Sequence, residues 1–210
     1  MDTACDGLFG AEGCSEPDPY HIRNDYSVAG YDLTHNLSVS ATYDLPFGRG
    51  KTFNVNNKVM DVIVSGWQVN GIYAFTSGLP YNLGVSPDVA NTGNPGTARL
   101  DRIGDPHRDH PTRTAWFNES AFTAPAAYTF GTEGRNDLRG DPFHNLDFSL
   151  FKSVKIRDIG KLQFRAEAFN ALNHLTYGNP NGNISSTTFG VVGSERSTER
   201  QLQLAVKFIY

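Results

Sequence analysis

The stretch Leu33-Thr34-His35-Asn36-Leu37-Ser38-Val39-Ser40-Ala41-Thr42-Tyr43-Asp44-Leu45 decides how this chain folds. Leu33, His35, Leu37, Val39, Ala41, Tyr43 and Leu45 fall on one phase of a period of two. Thr34, Asn36, Ser38, Ser40, Thr42 and Asp44 fall on the other. In an extended chain successive side chains point to opposite faces, so the stretch reads as a strand. One face is greasy with a single histidine, and the other is wholly polar. Its length exceeds the ~5–6 residues usual in globular sheets.

The same alternation recurs outward from it. Pro46-Phe47-Gly48-Arg49-Gly50-Lys51 reads as a turn, and a second strand is expected over 61–76, with Trp67, Val69, Gly71, Tyr73 and Phe75 in phase. A third is expected over 145–156 (Leu146, Phe148, Leu150), and a fourth over 162–170 (Leu162, Phe164, Ala166, Ala168). The last, 199–210, carries Leu202, Leu204, Val206, Phe208 and Tyr210 in strict alternation to the end of the sequence. Between 77 and 144 periodicity is lost in a region rich in Gly, Pro, Asn, Asp and Arg, far longer than the ~4–6 residues of an ordinary connection. Helix is expected to be scarce and confined to short turns within that region.

The connections alternate as well: long (1–32), short (46–60), long (77–144), short (157–161), long (170–198). An outer-membrane barrel has short turns on one side of the bilayer and long loops on the other. A soluble sandwich has no reason to sort its loops by parity. The fold class that follows is all-β: an antiparallel up-and-down meander forming a partial transmembrane β-barrel with long extracellular loops. Its domains are an N-terminal extracellular-type loop over 1–32 and a barrel segment of about five strands over 33–210. Five strands do not close a barrel, the smallest of which have ~8, so further strands are expected from elsewhere.

Composition agrees. Charged residues are 19% of the 210, below the ~25% of soluble domains, and Phe (14) and Tyr (9) supply most of the aromatic content. The mean hydropathy of −0.40 argues against membrane-spanning helices but not against a barrel, which faces water with every second residue. A formal net charge of −4 gives no concentrated basic surface for nucleic acid. Lys152 is the one clear basic residue in phase with an apolar row, placed near a strand end where it can snorkel. Arg165, Glu167 and Lys207 fall on the opposite phase, where Arg165 and Glu167 are expected to form an ion pair lining the lumen. Tyr43, Phe208 and Tyr210 sit at one end of the strands and Tyr73 and Phe75 at the other, as aromatic girdles do.

Several ordered motifs go further. Asp44-Leu45-Pro46-Phe47-Gly48-Arg49-Gly50-Lys51 is followed by Gly66-Trp67-Gln68-Val69-Asn70-Gly71, Ser77-Gly78-Leu79-Pro80-Tyr81 and Asp88-Val89-Ala90-Asn91. Then come Trp116-Phe117-Asn118 with Phe122, Gly134-Arg135-Asn136 with Leu138-Arg139-Gly140, Leu162-Gln163-Phe164-Arg165-Ala166-Glu167, and Phe169-Asn170-Ala171-Leu172-Asn173-His174. In this order and spacing, over about 17–210, they resemble the C-terminal end of TonB-dependent receptors that carry an N-terminal carboxypeptidase-regulatory-like domain. The resemblance implies a barrel of about 22 strands with an internal plug, importing a scarce ligand with energy delivered through TonB. The implied partners are outer-membrane lipid, the outer-membrane assembly machinery, the remaining strands and plug, and an unidentified ligand. The row Leu202, Leu204, Val206, Phe208 and Tyr210 resembles the C-terminal signal read by that machinery; a plain edge strand of a soluble sheet is the blander reading. Outer-membrane localisation follows.

The residues after Met1 (Asp2, Thr3, Ala4, Cys5) form no basic and apolar leader, which fits a natural start upstream, a truncated reading frame, or a cytoplasmic protein. Cys5 and Cys14 bracket a Gly-rich acidic stretch and are expected to form a loop disulfide outside the cytoplasm. His107-Arg108-Asp109-His110 lacks metal-ligand spacing, Ser120 and Ser149 lack a nucleophile elbow, and no Gly-rich loop opens a phosphate-binding helix. No enzyme activity, metal or cofactor is expected. The alternative function is a secreted or surface β-sandwich binding module, for instance for carbohydrate, whose apolar faces would pack on each other.

Overall fold

In a computed structural model, residues 26–93, 98–156 and 159–210 are described. The expected strands form as β1 (Asn36–Asp44), β2 (Trp67–Thr76), β7 (Phe143–Ile156), β8 (Gly160–Phe169) and β9 (Gln201–Ile209). All five lie in one antiparallel sheet in the order β1-β2-β7-β8-β9, so strands that follow one another in the meander pair directly. A sandwich is not formed from them: every long apolar row belongs to this sheet.

The second strand starts later than the alternation suggested. Residues 58–64 are a helix, α1 (Lys58–Val64), where strand was expected from Asp61 and helix only within 77–144. Local chemistry explains the correction. The Asn57 side chain accepts bonds from the backbone N–H groups of Val59 (2.9 Å) and Met60 (3.3 Å), an N-cap that leaves fewer donors unsatisfied. Val59, Val62 and Ile63 then recur at helical rather than strand spacing. Gly66, at φ +70°, turns the chain out of the helix; a Cβ there would collide with the Ser153 carbonyl of β7.

The structure divides into two compact units. The sheet unit comprises 35–76, 143–175 and 197–210. The loop unit comprises the described residues of 1–34 together with 77–142 and 176–196. It holds two short ladders, β3 (Pro80–Tyr81) with β6 (Leu138–Arg139) and β4 (Asp101–Arg102) with β5 (Phe122–Thr123), and a 3-10 turn at Glu119–Ala121. Its core is Tyr81, Leu83, Val85, Ala98, Leu100, Phe117, Ala121 and Phe122. Phe117 is the hub, with ring centroids 5.7 Å from Phe122, 5.2 Å from Phe189 and 6.3 Å from Tyr81. Offset and edge-on aromatic contacts of this kind add to the area they bury.

Candidate functional site

The sheet's two faces follow from its register. Tyr43, Val69, Leu150, Ala166 and Leu204 are successive cross-strand partners, and so are Ala41, Gly71, Phe148, Ala168 and Leu202. These rows make one apolar face across all five strands. The intervening row runs Thr42, Asn70, Ser149, Glu167, Gln203 and belongs to the other face. The apolar face is not packed away: Leu37 and Val39 are half exposed, and Leu204 is 83% exposed. In water each such side chain would forgo ~1.5–3 kcal/mol of burial, so a face of this size suits hydrocarbon. Leu202, Leu204, Val206 and Phe208 take their places in it on β9, with Tyr210 following and its ring 6.5 Å from that of Phe208.

Lys152 is the test of that face, being a charge in an apolar row, between Trp67 and Phe164. Its ammonium lies 5.3 Å from the Trp67 ring centroid and donates to the carbonyls of Ile63 (3.0 Å) and Ser65, at the end of α1. A helix's last carbonyls lack partners and carry partial negative charge, so they suit an ammonium. The Trp67 indole N–H also donates to Ile63 O (2.9 Å), which pins the helix end to the same strand end. Beside them an apolar groove of about 420 Å³ is lined by Leu150, Phe164, Ala166, Leu204 and Val206.

On the polar face Arg165 stacks over the Phe151 ring at 4.6 Å and donates through Nε to Gln163 (3.0 Å). The expected ion pair with Glu167 does not form among the described residues; the aromatic ring and the amide two residues away hold the guanidinium instead. Asp147 accepts from the Asn145 side chain (2.9 Å) and the Asn170 backbone N–H (3.0 Å). Asn170, buried at φ +48°, donates its amide to the carbonyls of His174 and Thr198, both at 2.9 Å. It thus clamps the end of β8 to the chain entering β9, a role that periodicity could not signal. At the same end the Tyr73 hydroxyl meets His144 Nδ1 at 3.0 Å, and the rings of His144 and His174 lie edge-on at 5.2 Å.

The loop unit is tied by polar contacts of its own. Arg139 donates to the Asp32 carboxylate at 2.6 Å and to Gly78 O at 3.1 Å, and Asn136 donates to Val28 O at 2.9 Å. The Arg139 hydrogen bond, reinforced by one from Thr34, holds the Asp32 carboxyl below the usual range. Glu133 is buried with neither carboxylate oxygen hydrogen-bonded. Burial raises its pKa, with Arg102 and Arg99 opposing and Asp137 reinforcing the shift. Burial, helped by Glu133, also pushes the Tyr81 phenol up. His107 and Asp109 approach to 3.5 Å on the surface, and Ser120 donates to Asn118 at 2.7 Å rather than to a base. No group of His, Cys, Asp and Glu able to hold a metal occurs among the described residues. Cys5 and Cys14 lie outside the described residues.

Among known families, a model described as an outer membrane beta barrel domain matches residues 1–203. No curated protein and no solved structure matches the chain significantly.

Proposed function

The chain belongs to the outer membrane beta barrel domain family, and from that premise we propose that it serves as a segment of a TonB-dependent receptor, taking up a scarce ligand across the outer membrane without catalysis. Its contact with outer-membrane lipid follows from the family and from the apolar face.

The observation that carries the receptor reading is the pair of open edges. Among the described residues, β1 and β9 each pair on one side only. Hydrocarbon does not tolerate unpaired backbone groups, so each edge calls for another strand. The motif order from Asp44 to His174 supports receptors of this type as the source of those strands. In such a receptor the apolar row would face lipid, and the polar row with Arg165 and Glu167 would face the plug. The terminal row would present Phe208 and Tyr210 to the assembly machinery.

The test uses outer membranes solubilised in mild detergent and passed over the immobilised periplasmic domain of TonB. A heat-modifiable species containing this sequence, much larger than 23.1 kDa, should be retained. A folded, heat-modifiable species of the chain's own mass that flows through would defeat the proposal and leave the family assignment standing.

A further inference from the structure

In a water-soluble protein a short helix turns its apolar side inward, and α1 does the reverse. Val59, Met60, Val62 and Ile63 share one side of the helix and are exposed at 70%, 48%, 54% and 57%. Its polar side is the one that makes contacts: the Asp61 carboxylate accepts the Arg49 backbone N–H at 2.8 Å, and Gly48 lies close to Asp61 and Ser65. Phe47 and Phe53, stacked at 5.3 Å in the same connection, are exposed too. An inverted helix of this kind is built for a surrounding that is not water.

Its position says which surrounding. Lys152 and Trp67 fasten the end of α1 to the apolar face of the sheet, so the helix is continuous with the surface that the family assigns to lipid. It stands at the short-connection end of the strands, next to Trp67, a residue favoured at membrane–water boundaries. The lysines are placed on one side as well. Lys51, Lys58, Lys152, Lys155, Lys161 and Lys207 are all the lysines of the chain, and all belong to this end of the sheet unit. Lys155 and Lys161 even face each other across β7 and β8. Like charges directly opposite are destabilising unless an anion lies near.

We propose that the β1–β2 connection is a membrane-interface foot for phospholipid. The apolar side of α1 lies at the boundary between headgroups and acyl chains of the leaflet at the short-connection end. Lys51 and Lys58 reach the phosphates there, as basic residues flanking an interfacial helix do. The inference rests on membership of the outer-membrane family and not on the receptor reading.

The experiment is spin-label accessibility in isolated outer membranes, in a Cys5→Ser, Cys14→Ser background. Labels go at Val59→Cys, Met60→Cys, Val62→Cys and Ile63→Cys, with Asp109→Cys, on an exposed loop, as the water reference and Leu204→Cys on the sheet face as the lipid reference. On α1 collisions with oxygen should exceed those with a water-soluble nickel chelate several-fold, and at Asp109 the order should reverse. Chelate collisions equal to or above oxygen at Val59 and Ile63 would place the foot in water and overturn the proposal. Low collisions with both would mean that protein, a plug or a second copy, covers the helix, and would overturn it equally. Either result alongside a lipid signature at Leu204 leaves the outer-membrane assignment intact; water exposure at Leu204 would sink both.

Discussion

The loop unit and the sheet unit bury opposite things. Every buried apolar side chain among the described residues, from Tyr81 to Val192, belongs to the loop unit. The buried residues of the sheet unit include the polar Gln163 and Asn170, while Leu202, Leu204, Val206 and Phe208 are exposed. One unit therefore follows the rule for a protein in water and the other the rule for a protein in lipid, within a single chain. A segment's solvent is recorded in which of its faces is hidden, not in its mean hydropathy. That is why a chain with a mean of −0.40 can hold a membrane surface.

Several measurements can break or sharpen that contrast. The most drastic concerns β9: deleting residues 208–210 should abolish insertion into the outer membrane while synthesis continues. Normal amounts of heat-modifiable barrel after the deletion would reduce the terminal row to packing. Next in size is the loop core. Leu100 is fully buried, and Leu100→Ala should cost about 2–5 kcal/mol of stability. Leu204→Ala, on an exposed site, should barely change stability in detergent. Equal losses at the two positions by denaturant titration would erase the distinction between the units.

A charge should discriminate the two faces of the sheet. Leu150→Arg, in the apolar row, should cost about 2–4 kcal/mol in a bilayer. Ser149→Arg, its neighbour on the polar face, should cost far less, and refolding equilibria in lipid vesicles would rank them. The smallest effects are those of pH in the loop unit. Because the pKa of Glu133 is raised on folding, its contribution is fully present below its unfolded value and is lost as pH rises through the folded one. Glu133→Gln should therefore raise the melting temperature at neutral pH and leave it unchanged near pH 4. Asp32 has the opposite sign: its pKa is lowered by Arg139, so its contribution is present above its unfolded value and lost as pH falls through the folded one. Asp32→Asn should lower the melting temperature at pH 7, and the difference should close toward pH 2.

The two units also differed in how far they could be read in advance. Strands such as 36–44 and 201–209 were legible because a period of two is a local property, written in each residue's neighbours. The apolar face and the awkward position of Lys152 were legible for the same reason. Periodicity does not isolate helix α1, since Val62 and Val64 fit a period of two as well as Val59, Val62 and Ile63 fit a helix, and the Asn57 cap shows only once its side chain is placed. The carbonyls that receive Lys152 were accordingly out of view. Nor could the expected Arg165–Glu167 pair compete in advance with a ring from the neighbouring strand.

By itself, then, the sequence determined the alternating strands, their order in the meander, and which face of each is apolar, because all three depend on residues within a few positions of one another. Only the tertiary structure decided that 77–142 and 176–196 share a core around Phe117, that Asn170 clamps the end of β8 to the chain entering β9, and that α1 shows its apolar side outward. Those arrangements are set by contacts between residues tens of positions apart, and no local pattern encodes the packing that selects them.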